Sequence, residues 1–364
     1  MRLSCLQEDM VRGLGIVSRA VAGHSILPVL HNVMLSTDKG RLKLSATNLE
    51  ISIVCWVSAD VEEEGAITVP AKVITELVNS LPAERIDMEV VKDTLKLACG
   101  RHRSNLKGIS AEEFPIIPEM GEGDGFVLPS DLFLSLARSA SVSAASDEDR
   151  PVLNGVLVQI IGDHLTMASA DGFRLSECES VLPCKMEFIS VIVPAISLLE
   201  VVRVSSGDTI RIVLSESRAI FGMNDVNVIS QLIEGQFPDY RQIIPKECAT
   251  QATVIVKDLK RACVTTRIFA RDAAEIARVT IGEDTLALTA RSEIGDNRAE
   301  IDAVVSGEGL TFAVNVKYLL EMLSVIRSEH VIIETTTATS PAVFRTDSGL
   351  ERHVIMPMHV SERV

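Results

Sequence analysis

Ile67-Thr68-Val69-Pro70-Ala71, Val191-Ile192-Val193-Pro194-Ala195 and Phe312-Ala313-Val314-Asn315-Val316 are three versions of one phrase. Each is a short apolar run, rich in β-branched residues, that ends at Pro or Asn and passes into an amphipathic stretch. Such runs suit strands. Proline at the corner supplies a preset φ for the first helical turn. The helices predicted after the corners are Ala71–Asn79, Ala195–Val204 and Val316–Ser328. Val69, Val193 and Val314 lie 124 and 121 residues apart, a period far longer than a solenoid repeat, so the phrase marks a duplicated domain.

Other features recur on either side of it. Each third opens with a further amphipathic helix, Gln7–Val21, Pro129–Ala144 or Lys257–Ile268, with Ser130 and Asp131 as N-cap candidates for the second. Alternating runs between the helices read as strands: Arg41–Ser45 with Ile51–Trp56, Val156–Ile161 with Leu165–Ser169, and Ala277–Ile281 with Leu286–Thr289. Each third closes on an apolar-proline segment, and Pro115, Pro238 and Pro357 are 123 and 119 residues apart. Glu119–Gly125 and Lys246–Gln251 read as solvated linkers; the first lacks the spacing of a calcium loop. The prediction is an α+β chain of three repeated domains, 1–120, 126–246 and 251–364, each with two helices packed on antiparallel sheet. Strands gathered in runs argue against a doubly wound parallel sheet.

The 364 residues include 35 Lys+Arg and 50 Asp+Glu, a net charge of −15. Spread evenly, that charge argues against nucleic acid, and 13 aromatic residues are too few for a single-strand stacking platform. The balance is uneven, however. The six predicted helices carry eleven basic and seven acidic residues, a net of +4, which leaves −19 for the rest. A cation preference at helix C-termini and a cationic lining both account for this count. The most apolar stretch, Phe188–Val202, is interrupted by Ser190, Pro194, Ser197 and Glu200, so no membrane span is predicted. Glu8 and Asp9 fall too early for a secretory leader. Seven scattered cysteines without a C-x-x-C pair fit buried, reduced thiols and a cytoplasmic location.

Motifs for chemistry are missing. There is no nucleotide-binding glycine loop, no nucleophile elbow and no zinc-protease motif. The seven histidines form no ligand pair at helical spacing, so no metal or cofactor is expected. Asp147-Glu148-Asp149-Arg150 is the densest acidic cluster and reads as a solvated loop. Threefold repetition without a unique motif points to a scaffold or ring. A peptide-binding scaffold that ignores DNA, and an enzyme built from dispersed residues, are the rival readings.

The chain resembles the bacterial DNA polymerase III beta subunits, the sliding clamps, over nearly its whole length. The likeness is carried by Ser18–Val21, Leu27–Asn32, Ala46–Glu50, Leu153-Asn154-Gly155, Ala170–Leu175, Phe237–Arg241 and Val354–Met358. It implies three copies of the DNA clamp fold in a head-to-tail homodimer. The ring encircles duplex DNA without regard to sequence, and it tethers replicative polymerase, clamp loader and repair proteins through short linear peptides. Size supports two copies. Helices about 10 Å apart leave a hole of about 9 Å if six line it and about 28 Å if twelve do, against a duplex about 20 Å across.

The resemblance also assigns residues. A peptide pocket would be walled by Leu153, Gly172, Phe173, Arg174, Leu175, Pro238, Gln242, Ile243, Asn315, Tyr318, Val354, Met356, Pro357, Met358 and Val360. Leucine, proline and adaptable methionine make an apolar slot, while Arg174, Asn315 and Tyr318 are able to fix a peptide backbone. For Leu153, Leu175 and Val354 ordinary core is the rival reading. His24 and Arg150 stand in loops where relatives contact DNA. Lys72, Arg138, Arg203 and Arg261 are DNA candidates by helix position. Gln242 departs from the basic residue common in the family, and Ala170 from its threonine.

Overall fold

The computed structural model describes residues 1–121, 125–147 and 149–358. Among the described residues there are six α-helices: α1 (Gln7–Val17), α2 (Ala71–Ser80), α3 (Ser130–Ser141), α4 (Ala195–Val204), α5 (Val256–Ala270) and α6 (Val316–Val325). All strand pairs within the four sheets are antiparallel. The chain divides into two compact units, Met1–Phe133 with Leu199–Leu232, and Leu134–Leu198 with the chain from Ile233 onward.

The first unit holds a five-stranded sheet in the order Asp60–Glu63, Arg2–Leu6, Arg85–Val91, Thr94–Cys99, His102–Lys107. It also holds an eight-stranded sheet that begins with Phe126–Pro129, Thr209–Leu214, Arg218–Met223 and Val226–Gln231. That sheet continues through Ile51–Val57, Arg41–Thr47, Asn32–Asp38 and Ala66–Pro70. The join is Val226–Ser230 against Ile51–Cys55, where the second repeat adds its strands to those of the first. Met10, Leu14 and Val17 recur on one face of α1 and are fully buried. A Cβ on Gly13 would lie 2.7 Å from Val57 Cγ2 and 2.8 Å from Leu44 Cδ1, so the bare glycine lets α1 approach the sheet closely.

The second unit has a seven-stranded sheet, in the order Gly155–Ala170, Arg174–Pro194, Glu351–Ile355, Ala342–Thr346, His330–Thr335, Thr250–Ile255, Val304–Ser306. A four-stranded sheet runs Gly295–Asp302, Thr285–Ser292, Ile276–Ile281, Leu310–Asn315. Here Arg174–Cys178 pairs with Cys178's neighbour strand Glu351–Ile355, so the second repeat is again joined to another, this time the third. α5 and α6 fill the space with Leu259, Cys263, Leu319 and Met322 against Phe312 and Phe344.

Several local expectations change. Val156–Ile161 and Leu165–Ser169 belong to one continuous strand, because both halves pair with Arg174–Pro194; the register shifts on either side of Gly162, at φ 66°, where the partner strand carries the extra residues. Ser130 is the first residue of α3 rather than its cap, and its N–H donates to Asp208 O at 2.8 Å. The strand-to-helix corner has two solutions. Pro70 precedes α2 at φ −55°, whereas Asn315 caps α6 by accepting from Lys317 N at 2.9 Å and Tyr318 N at 3.4 Å. The first linker is only partly solvated: Glu119 pairs with Lys43 at 2.9 Å, and Met120 packs over Gly222. Thr250 and Gln251, read as linker, belong to a strand. Of the cysteines whose side chains are described, five are buried and Cys248 is exposed; burial pushes Cys5 and Cys263 up to about 12.

Gly13→Ala therefore forces a methyl into a filled interface. It should destabilise the fold by about 1–3 kcal/mol, read as a lower urea midpoint.

Candidate functional site

In the second unit, the turn between the strands Gly155–Ala170 and Arg174–Pro194 organises the expected peptide site. Asp171 Oδ1 accepts from Phe173 N at 2.8 Å and Arg174 N at 2.9 Å, and Gly172 takes φ 93°, which side chains rarely tolerate. Arg150 reaches the same turn, donating to Asp171 O at 3.1 Å and to Asp147 at 3.1 Å. Of the acidic cluster around it, Glu148 lies outside the described residues.

Arg174 leaves this turn fully engaged. Its Nε donates to Asp171 Oδ2 at 2.9 Å, its Nη1 donates to Glu321, and its guanidinium stacks 4.3 Å from the Tyr318 ring. The arginine is thus pre-oriented and its charge is matched by two carboxylates. Burial raises the Tyr318 hydroxyl above the ordinary tyrosine value, and the Asp171 charge adds to this. Asn315 has its carbonyl oxygen committed to the α6 cap, so its NH2 group is what it can offer a peptide.

The floor is apolar. Leu175 and Val354 face each other in register and join Leu157, Tyr240 and Val343 in one buried cluster. Tyr240 OH donates to Glu177 Oε1 at 2.7 Å, and Glu177 also faces Arg352 Nε at 2.9 Å. Burial, followed by the hydrogen bond to Glu177, raises the Tyr240 hydroxyl. The edge is the segment Met356-Pro357-Met358. Met356 N–H donates to Phe173 O at 2.8 Å, and Met358 N–H donates to Ala313 O at 2.7 Å. Pro357, which has no N–H, falls between the two donors. This strap ties the turn at Phe173 to the strand Leu310–Asn315, and its three side chains remain half-buried. Phe173 is 62 % exposed and Ile243 46 %, so apolar surface is left open.

The structure therefore links Phe173, Arg174, Leu175, Asn315, Tyr318, Val354, Met356 and Met358 through contacts. Leu153 is the buried residue of the 3-10 turn Pro151–Asn154, with its N–H donating to Arg150 O. Pro238, Gln242 and Ile243 are exposed around the 3-10 turn Tyr240–Gln242, where Gln242 donates to Asp239 at 2.7 Å. Val360 lies outside the described residues. Sequence reading missed Asp171, Glu321, Tyr240 and Glu177 as supports. Glu321 stands three residues after Tyr318 on α6, a spacing that places both on one helix face.

The nucleic-acid candidates are exposed in both units. The first unit holds His24 in a loop beside Ile26 and His31, Lys72 on α2 and Arg203 on α4; the second holds Arg138 on α3, Arg150 and Arg261 on α5. Arg203 is paired with Glu200. Arg327 falls beyond α6, and Arg19 sits in the 3-10 turn Ser18–Ala20, so the α-helices themselves carry nine basic and seven acidic residues. Position matters more than the total. Lys72, Lys257 and Lys317 are each the second residue of their helix, in α2, α5 and α6. A cation there opposes the helix dipole, so the C-terminal preference does not explain these lysines. Among the described residues no cluster of three His, Cys, Asp or Glu is arranged to hold a metal, and no helix is long and apolar enough to cross a membrane.

Comparison with known proteins matches the three segments to three family models in order. The N-terminal domain of the DNA polymerase III beta subunit matches residues 1–118, the central domain 127–239 and the C-terminal domain 241–359. The chain is 29 % identical to the beta sliding clamp of Salmonella typhimurium and 28 % to that of Synechocystis, covering 99 % of this chain and 100 % of each relative. A Pseudomonas aeruginosa sliding clamp, solved bound to griselimycin, superposes with a TM-score of 0.92 at 28 % identity, covering 99 % of this chain and 100 % of that one. The Bacillus subtilis clamp shares the fold at a TM-score of 0.94 and 24 % identity, with 99 % of both chains covered.

Proposed function

The chain belongs to the DNA polymerase III beta subunit family, and we propose that it works as a homodimeric sliding clamp, a non-catalytic ring that threads duplex DNA and tethers its partners. The observation that carries the DNA reading is the placing of Lys72, Lys257 and Lys317 at helix N-termini. Helix N-terminal N–H groups and a lysine together favour phosphate. These contacts are to backbone charge, so they carry no sequence information and allow sliding. The excess of acid outside the helices disfavours side-on binding and leaves threading as the stable mode. The domains act as the three repeats, 1–120, 126–246 and 251–364, with His24, Lys72, Arg138, Arg150, Arg203 and Arg261 facing DNA.

Ring closure has a physical basis in two unpaired edges. His102–Lys107 ends the five-stranded sheet and exposes His102, Arg103 and Lys107. Gly295–Asp302 ends the four-stranded sheet and exposes Asp296, Glu300 and Asp302 together with one cation, Arg298, which donates to Glu300 at 2.6 Å. Pairing of the cationic edge with the acidic edge of a second copy satisfies both backbones, and the contact is heterologous, as a head-to-tail ring requires. The peptide role rests on the Met356-Pro357-Met358 strap and the apolar surface beside it. An extended segment from polymerase, clamp loader or repair protein lies there, anchored by apolar side chains.

Three outcomes follow. The protein should have twice the mass of one chain in solution and should be retained on closed circular DNA but lost from linear DNA; equal loss from both excludes a ring. Arg103→Glu should convert the dimer to monomer, and Glu300→Arg in the same chain should restore association in part, both read by light scattering. Met356→Ala or Met358→Ala should weaken a partner peptide by about 1–2 kcal/mol in a calorimetric titration while leaving the dimer intact.

A further inference from the structure

One carboxylate in the first unit stands apart from the other surface acids. Glu200 on α4 is only 7 % exposed, yet its two partners face solvent. Arg19, in the 3-10 turn after α1, donates to Glu200 Oε2 at 3.1 Å with its side chain 42 % exposed. Arg203, three residues after Glu200, donates to Oε1 with its side chain 53 % exposed. Each carboxylate oxygen is thus taken by a different guanidinium, and the acid lies beneath two cations. Lys72, by contrast, has no ion pair among the described residues.

We propose that Glu200 is a positioning residue that moderates the grip of the lining on DNA, by holding Arg19 and Arg203 in ion pairs that a phosphate must compete with. The inference rests on the sliding-clamp reading and deepens it. A guanidinium has five N–H donors, and each of these arginines commits one of them to Glu200. Donors remain that can turn toward a passing phosphate, but the shared carboxylate offsets one of the two positive charges at close range and holds both guanidinium groups. A ring that must move along DNA benefits from this. Each phosphate fully neutralised by a free cation adds about 0.9 to the slope of log affinity against log salt and deepens the well from which the ring must step. Two arginines leashed to a buried acid keep the backbone contact weak and reversible. They also stay aligned, because the acid is too covered to repel the duplex itself.

Glu200→Gln keeps the shape and a hydrogen-bond acceptor but removes the charge. Binding of the intact dimer to a short linear duplex, followed by fluorescence anisotropy between 50 and 200 mM salt, supplies the readout. Relative to the unmodified protein, Glu200→Gln should steepen the salt slope by up to about 1.8, one increment for each released arginine. Arg203→Gln alone should change the slope by less than about 0.5, whereas in the Glu200→Gln background it should remove about 0.9. An unchanged slope in Glu200→Gln, or an equal effect of Arg203→Gln in both backgrounds, overturns the proposal. A lowered thermal midpoint with no change in slope makes Glu200 a structural strut and also overturns it. If the unmodified protein itself shows no salt-dependent binding and no retention on circular DNA, the sliding-clamp reading fails first; retention with no Glu200 coupling sinks only this inference.

Discussion

Strand pairing across repeat boundaries is the constraint on which the rest of the molecule depends. A single repeat leaves sheet edges with unpaired N–H and C=O groups, and exposed edges invite association. The chain resolves this by running Val226–Ser230 along Ile51–Cys55 in one sheet and Arg174–Cys178 along Glu351–Ile355 in another. The second repeat therefore contributes to both compact units, and the three sequence repeats do not coincide with the two units of packing. The same logic leaves His102–Lys107 and Gly295–Asp302 as edges of opposite charge.

The proposed peptide site is a product of one of these joins. Pairing of Arg174–Cys178 with Glu351–Ile355 sets Leu175 opposite Val354 and delivers the chain at Met356 to the turn at Phe173. The strap is then held at both ends by backbone hydrogen bonds, while Arg174, pinned by Asp171, Glu321 and Tyr318, stiffens the side facing it. Preorganisation of this kind spares a ligand the entropic cost of ordering the site. The buried Glu177 joins the turn at Tyr240 to the same two strands, so the floor and its supports are one hydrogen-bonded and apolar unit.

Charge is handled in a similar way at the helices. Cations at the start of α2, α5 and α6 are left in a position that the helix dipole disfavours, Lys317 with Glu321 3.8 Å away, whereas Arg19 and Arg203 share the single charge of Glu200. A net charge of −15 describes the surface as a whole and hides both arrangements.

The sequence by itself determined the repeat, the α+β class and the strand-to-helix corners, because periodic burial and corner chemistry are local and leave their mark at fixed spacing. It also carried most of the site through Ala170–Leu175 and Val354–Met358, residues that lie 180 or so apart yet each have a distinctive local composition. Tertiary structure decided what no local pattern encodes: that the strand runs on through Gly162 with a register shift, that Met120 packs on Gly222, and that Asn315 spends its oxygen on a cap. It alone paired Arg174 with Glu321, 147 residues away, and Arg19 with Glu200, 181 residues away. An ion pair or a sheet join between distant segments depends on which edges and faces the folded chain brings within a few ångströms, and single-residue preferences are silent on that.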